Sequence, residues 1–355
     1  MNPQFVIVCG SGGVGKTSAA AAIGVNAARS GQRVLVVTVD PARRLAQALG
    51  LDSIGHEAVG VAVEGGGSLA VSMLDTKAGW DSLIRRHARD AATAERVLRN
   101  PLYHNITSRF VNSHDYIAME QINELASSTG YDLVVIDTPP SRNALDLLDA
   151  PRRMKEFFGG RLLQWLTLPY RSRVLTLASR PFLQIADRLL GSQFLGDIAE
   201  FFTLLQSMES GFVARAGEVE TLLTSERVSF VIVTSAEPAA SRETVYLATE
   251  LHRRRFPLGR IIVNRLVTEA GEEELPPLEV IVTSVGGGID VEPAIAGMRT
   301  AYEHRRTVAA RHASGVGVIT AIGTPVVLVA ECDRPATGAN DGSVLEGIAT
   351  ALRGT

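Results

Sequence analysis

The sequence predicts an α/β protein built on a doubly wound, mostly parallel sheet, with an all-helical subdomain inserted into it. Short β-branched runs recur at 5–9, 33–39, 133–136, 230–234, 261–263 and 326–330. Each is apolar throughout, as strands covered on both faces are. Longer segments with helix-like apolar spacing separate them, which is the βα alternation of a parallel sheet. The stretch 151–224 differs: Phe157, Trp165, Phe182, Phe194 and Phe201 are interleaved with Arg and Gly, and no strand-like run of comparable strength occurs. That pattern predicts helices. A second helical stretch is predicted at about 76–126, so residues 1–355 read as one domain with a helical subdomain drawn from both stretches.

With 355 residues, 46% of them hydrophobic and only 21% charged, the chain can bury a sizeable core. Its net charge of -3 supplies no global positive field, so no nucleic-acid partner is expected. Cys9 and Cys332 are the two cysteines and form no CxxC pair. They read as small buried residues in a reducing compartment. No stretch reaches the roughly 18 uninterrupted apolar residues of a membrane span, and the first strand-like run follows neither a basic leader nor a cleavage site. A cytoplasmic protein without a transmembrane segment is the expectation. The basic group Arg85, Arg86, His87 and Arg89 reads as a solvated helix face, and the glycine triplets at 65–67 and 286–288 as flexible surface loops.

One motif carries chemistry. Gly10, Ser11, Gly12, Gly13, Val14, Gly15, Lys16 and Thr17, with Ser18 next, fit GxxxxGK[ST] between a strand-like run and an Ala-rich helix. Glycines there let backbone N–H groups curl around phosphates, and the helix N-terminus adds partial positive charge. Lys16 is placed to reach the β and γ phosphates, and the Thr17 hydroxyl to ligate Mg²⁺. Asp137 ends the run 133–136, so its carboxylate emerges at the same sheet edge, where it can hold Mg²⁺ directly or through water. Asp40 ends the run 33–39 and is followed by Pro41; a catalytic carboxylate near the γ-phosphate and a turn residue both fit that position. ATP and Mg²⁺ are the expected ligands.

The GGVGKT core, the segment Asp40, Pro41, Ala42 and the segment 137–145 (DTPPSRNAL) together resemble the ArsA family. That family holds arsenite-pump ATPases and the ATPases that target tail-anchored membrane proteins, and the likeness is strongest to its actinobacterial "anion-transporting ATPase" branch. The resemblance implies that Asp40 orients or deprotonates the attacking water and that 137–142 changes shape when the γ-phosphate leaves. It implies that Glu237 faces nucleotide across a dimer and that Asn264 reads the adenine edge. A surface acid and a strand-end turn are the plainer readings of those two residues. It also implies a second chain, either in a homodimer or in a heterodimer with a paralogous ATPase, and a hydrophobic helix or membrane protein as client.

The departures from the family pattern matter as much. Ser11 stands where the family has a lysine that reaches the partner's nucleotide, so turnover is slow, or an arginine such as Arg43 or Arg142 serves, or a paralogue supplies the charge. Neither a zinc site nor a metalloid site can be built from Cys9 and Cys332. Several functions therefore stay open: a nucleotide-driven client binder, a weakly hydrolysing regulatory or scaffold subunit, a partition-type ATPase, and a synthetase that phosphorylates a carboxylate. The large apolar residues of 151–224 fit either a client groove or the subdomain's own core.

Overall fold

The computed structural model describes residues 3–39, 44–101, 103, 113–127, 130–138, 149–153, 155–156, 192–268, 291–331 and 343–353. Eight strands form one sheet: β1 (Phe5–Cys9), β2 (Arg33–Thr38), β3 (Val59–Val61), β4 (Ser68–Met73), β5 (Leu133–Asp137), β6 (Val228–Thr234), β7 (Leu258–Leu266) and β8 (Val326–Ala330). Their order is β3-β4-β2-β5-β1-β6-β7-β8, parallel throughout except for the β3–β4 pair. Each of the six strand-like runs in the sequence is a strand. The additional hairpin β3–β4 escaped the pattern because β3 is only the exposed Val-Gly-Val, and Ala70 and Met73 leave β4 half-covered.

The helices accompanying the sheet include α1 (Lys16–Arg29), α2 (Arg44–Ala48), α3 (Thr76–His87), α4 (Ala91–Arg99), α5 (Ser113–Ser127), α6 (Ser192–Ser207), α7 (Glu209–Leu223), α8 (Pro238–Arg253), α9 (Val291–Thr320) and α10 (Ser343–Arg353). Alternation along the strands splits the core in two. Phe5, Ile7 and Cys9 of β1 face a layer with residues of α5, α7, α8 and α9, whereas Val6 and Val8 face α1, α2 and α10. Both faces are covered, which is why the strands are apolar throughout. In α1 the run Ala19 to Ala22 has no exposed surface; four small side chains in succession let the helix lie close on the sheet.

A third cluster belongs to the helices of the two predicted stretches. Trp80, Leu83, Ile84, Val97, Leu98, Phe201, Leu205, Met208 and Phe212 pack together, so α3, α4, α6 and α7 share a core of their own. Asp75 and Asp90 start α3 and α4 by accepting hydrogen bonds from the Ala78 and Thr93 amides at 2.9 and 2.7 Å. Residues 157–191, with Phe157, Trp165 and Phe182, lie outside the described residues.

Arg85, Arg86 and Arg89 of the basic group are exposed, as a solvated face requires; Arg86 also reaches Glu120 at 3.5 Å and Glu124 at 2.6 Å, and the half-buried His87 packs on Phe212 with ring centroids 5.5 Å apart. The triplet 65–67 is a fitted turn, not a loose loop. Gly67 donates to the Ala28 carbonyl at 3.1 Å, and a Cβ on Gly67 would lie 2.2 Å from the Gln32 carbonyl oxygen. The other triplet, 286–288, lies outside the described residues.

Glu120 on α5 is a buried acid of this subdomain. Its side chain is 4% exposed and accepts from Arg215 Nε at 2.6 Å. Burial pushes its carboxyl above the ordinary range despite the opposing pull of Arg215 and Arg86. Arg215→Met leaves that carboxylate buried with only the longer Arg86 contact, and is expected to cost about 3 kcal/mol at neutral pH. Because burial raises the folded-state pKa and loss of the guanidinium raises it further, the deficit is full only above the variant's own value and fades as pH falls through the wild-type value, below which Glu120 is protonated in both folded proteins. Urea unfolding at pH 7 and pH 5 checks this; an equal deficit at both values counts against it.

Candidate functional site

Seven parallel strands end at one edge of the sheet, and their register sets what meets there. Val8 of β1 and Thr38 of β2 both pair with Asp137 of β5, while Cys9 pairs with Ile232 of β6. The chain turns from β1 into α1 through residues 10–15, and this turn is shaped around its neighbours. Gly10 has φ 138°, and a Cβ there would lie 2.0 Å from the Val233 carbonyl oxygen. Gly15 has φ 97°, and a Cβ there would lie 2.3 Å from Asn264 Nδ2. Both positions combine a left-handed backbone with no room for a side chain, so glycine is required twice.

Lys16, only 6% exposed, folds back over the turn: its Nζ donates to the Gly10 carbonyl at 3.0 Å and to the Ser11 carbonyl at 2.7 Å. A buried ammonium among carbonyl oxygens at a helix N-terminus is a cation held next to a ring of amide donors, the combination that receives phosphate. Thr17 and Ser18 follow in the first turn of α1. Asp137, 2% exposed, closes the site from β5, with the Thr38 hydroxyl donating to its Oδ2 at 3.3 Å. Thr138 ties the next residue to β1 through its hydroxyl, which donates to the Val8 carbonyl at 2.8 Å. Cys9 lies beneath the loop; burial pushes its thiol up to about 12, only partly opposed by the charge of Lys16, so it is inert as a nucleophile.

The two residues carried over from the resemblance sit at the same edge with partners the sequence did not disclose. Asn264, 4% exposed at the end of β7, donates from Nδ2 to the Val14 carbonyl at 2.9 Å, bracing the loop from the side. Arg265, the next residue, has φ 57°, and the β7–β8 register shifts between Val263 and Leu266, so the strand is kinked where it meets the loop. Glu237 sits at the start of α8 and accepts from Arg311 at 2.7 Å and from His312 Nε2 at 3.2 Å. The Val267 amide donates to His312 Nδ1 at 3.1 Å, which fixes the imidazole proton on Nε2. Partial burial pushes the Glu237 carboxyl up, but these hydrogen bonds outweigh it and hold the group below the usual range. Ser11 donates from its hydroxyl to Glu243 on α8. No sequence signal marks Glu243 as a neighbour of the loop, or Arg311 and His312 as neighbours of Glu237, because these contacts join residues 232, 74 and 75 positions apart. Asp40, Arg43 and Arg142 lie outside the described residues.

A strand, a glycine-lined turn with an inward lysine and a buried aspartate on the adjacent strand are shared by many phosphate-binding proteins, so comparison decides among them. The profile of the ArsA ATPase family, described as anion-transporting ATPases, matches residues 3–280. The chain belongs to the ArsA family. It is an ATPase. Among its relatives, ATPase ASNA1 homolog 2 of Paramecium tetraurelia is 23% identical over 270 residues, covering 74% of this chain and 76% of that protein. ATPase GET3 of Malassezia globosa is 25% identical over 266 residues, with 74% and 73% covered. An uncharacterized protein of Streptomyces coelicolor is 30% identical over 189 residues, with 53% and 45% covered.

The brace between Asn264 and the loop can be tested separately from nucleotide chemistry. Asn264→Ala leaves the buried Val14 carbonyl without its donor and is expected to destabilise the protein by about 1–3 kcal/mol, measured by urea unfolding without nucleotide. A deficit near zero shows that the contact does not hold the loop.

Proposed function

We propose that this ATPase binds MgATP in the cradle 10–18 and hydrolyses it with the roles that the sequence assigns. The observation that carries the reading is the pairing of the Lys16 ammonium, held on the loop carbonyls, with the buried Asp137 carboxylate at the same sheet edge. The two glycines with no space for a Cβ and the hydroxyl and carboxylate oxygens of Thr17 and Asp137 suit a triphosphate and a hard cation. Thr17 and Asp137 would hold Mg²⁺, which when bound supplies charge neutralisation at the phosphates. Lys16 exchanges its loop carbonyls for phosphate oxygens. Asp40 orients the attacking water, and Asn264 and Glu237 complete the nucleotide site.

On this reading the nucleotide state governs assembly. ATP closes a dimer, and hydrolysis opens it, so that a hydrophobic helix or membrane-protein client is bound and released in the cytoplasm. The helical subdomain is the proposed client-bearing unit. In its described part Phe201, Leu205, Met208 and Phe212 are turned into its own core; Phe157, Trp165 and Phe182 of the same unit lie outside the described residues. Among the described residues no helix is long and apolar enough to cross a membrane. The last described helix, α10, is committed to α1: Asn26 donates to the Ala349 carbonyl at 2.6 Å, Arg29 pairs with Glu346 at 2.9 Å, and Ile348 and Ala349 have no exposed surface. That commitment disfavours a partition-type ATPase using the same helix on a membrane.

A second reading, a weakly hydrolysing subunit paired with a lysine-bearing paralogue, is favoured by one observation. Ser11, where the family has its lysine, is hydrogen-bonded to an acid.

Lys16→Ala is expected to abolish measurable ATP binding, and Asp137→Ala to lower phosphate release on the order of a hundredfold. Calorimetry and a phosphate-release assay read the two; turnover unaffected by Lys16→Ala would remove the site. Light scattering after size exclusion with ATP, with ADP and without nucleotide reads the assembly. A single mass in all three states counts against nucleotide-driven closure.

A further inference from the structure

Three acids lie along α8, and they are treated differently. Glu237 is paired with Arg311 at 2.7 Å, and Glu250 with Arg253 at 2.7 Å and Arg254 at 3.3 Å. Glu243, between them, has no ion pair among the described residues; what it accepts is the hydroxyl proton of Ser11. Among the described residues no cation pairs with its carboxylate, and this exposed side chain is held against the phosphate loop by that hydrogen bond.

Ser11 joins two opposite charges. Its carbonyl accepts from Lys16 Nζ at 2.7 Å while its hydroxyl donates to the Glu243 carboxylate. A loop lysine of this kind serves the β and γ phosphates, so the residue whose carbonyl it touches borders the terminal phosphates. A carboxylate one hydrogen bond from that residue repels whatever anion enters, and repels it more as the anion's charge grows.

We propose that Glu243 is an anionic gate on the phosphate loop, which lowers affinity for the triphosphate more than for the diphosphate. The proposal rests on the phosphate-loop reading of 10–18. MgATP carries one more negative charge than MgADP, and that charge sits on the terminal phosphate, on the side the gate faces. Glu243 thereby sets how far the empty or ADP-bound protein is favoured at a given ATP level. The gate is chemistry particular to a chain with serine at position 11, because a lysine there would neutralise the same carboxylate.

The test is a charge series in the full chain: wild type, Glu243→Gln and Glu243→Lys, each titrated with MgATP and MgADP by calorimetry at low and high salt. Gln is the isostere of Glu and an equally good helix former, so α8 is preserved. MgATP affinity is expected to rise about 3- to 10-fold in Glu243→Gln, as one partly solvated charge is removed, and further in Glu243→Lys. The gain for MgADP is smaller, and both gains shrink at about 0.5 M salt, where surface fields are screened. An affinity that is unchanged or weaker in Glu243→Gln overturns the gate, as does an equal, salt-independent gain for both nucleotides, which would reflect packing. Lys16→Ala separates the two levels. If it abolishes binding while the Glu243 series is flat, only the gate falls; if it binds ATP like wild type, the phosphate-loop reading falls and takes the gate with it.

Discussion

The turn after β1 occupies space that leaves nothing over at two points. The Val233 carbonyl stands where a Cβ of residue 10 would be, and the Asn264 amide where a Cβ of residue 15 would be. The turn is therefore moulded between β6 and β7, and its curvature comes from tertiary contact as much as from its own sequence. The Lys16 ammonium, the orientation of the first α1 amides and the approach of Ser11 to α8 all follow from that fit. Binding energy for an anion is prepared in advance when donors are held by packing in this way, because little reorganisation remains to be done on arrival.

The helical subdomain shows a different use of burial. Its apolar core is joined to a line of charges, Arg86, Glu120, Arg215 and Glu218, that bridges α3, α5 and α7. Such a line contributes little net stability, since desolvation offsets attraction, but it penalises any packing in which a partner is missing. Helices joined by apolar contact alone slide past one another easily; a buried carboxylate with a fixed guanidinium restricts the register in which they meet.

The sequence disclosed what local chemistry determines. The glycine loop, Lys16 and the aspartate at the end of β5 were legible because a buried parallel strand followed by a phosphate turn leaves a pattern a few residues long. The strands were legible for the same reason, except for β3–β4, whose Val-Gly-Val edge strand carries no alternation. Glu243, Arg311, His312 and the use of the Asn264 amide as a brace were not legible, because each depends on where α8, α9 and β7 are brought by folding. The resemblance placed Asn264 and Glu237 near nucleotide, and the structure puts Asn264 against the loop and Glu237 in the grip of Arg311 and His312. The likeness to relatives did not disclose those partners, which depend on how α8, α9 and β7 pack.

The docking of α10 on α1 has a consequence for how the protein is made. Helix α1 precedes in the chain every group that confines it and its loop, which come from positions 233, 264 and 349. A nascent chain that has emitted only its first half carries the whole phosphate-binding motif without the walls that shape it. The shape of the loop is therefore a property of the folded sheet and not of the motif by itself.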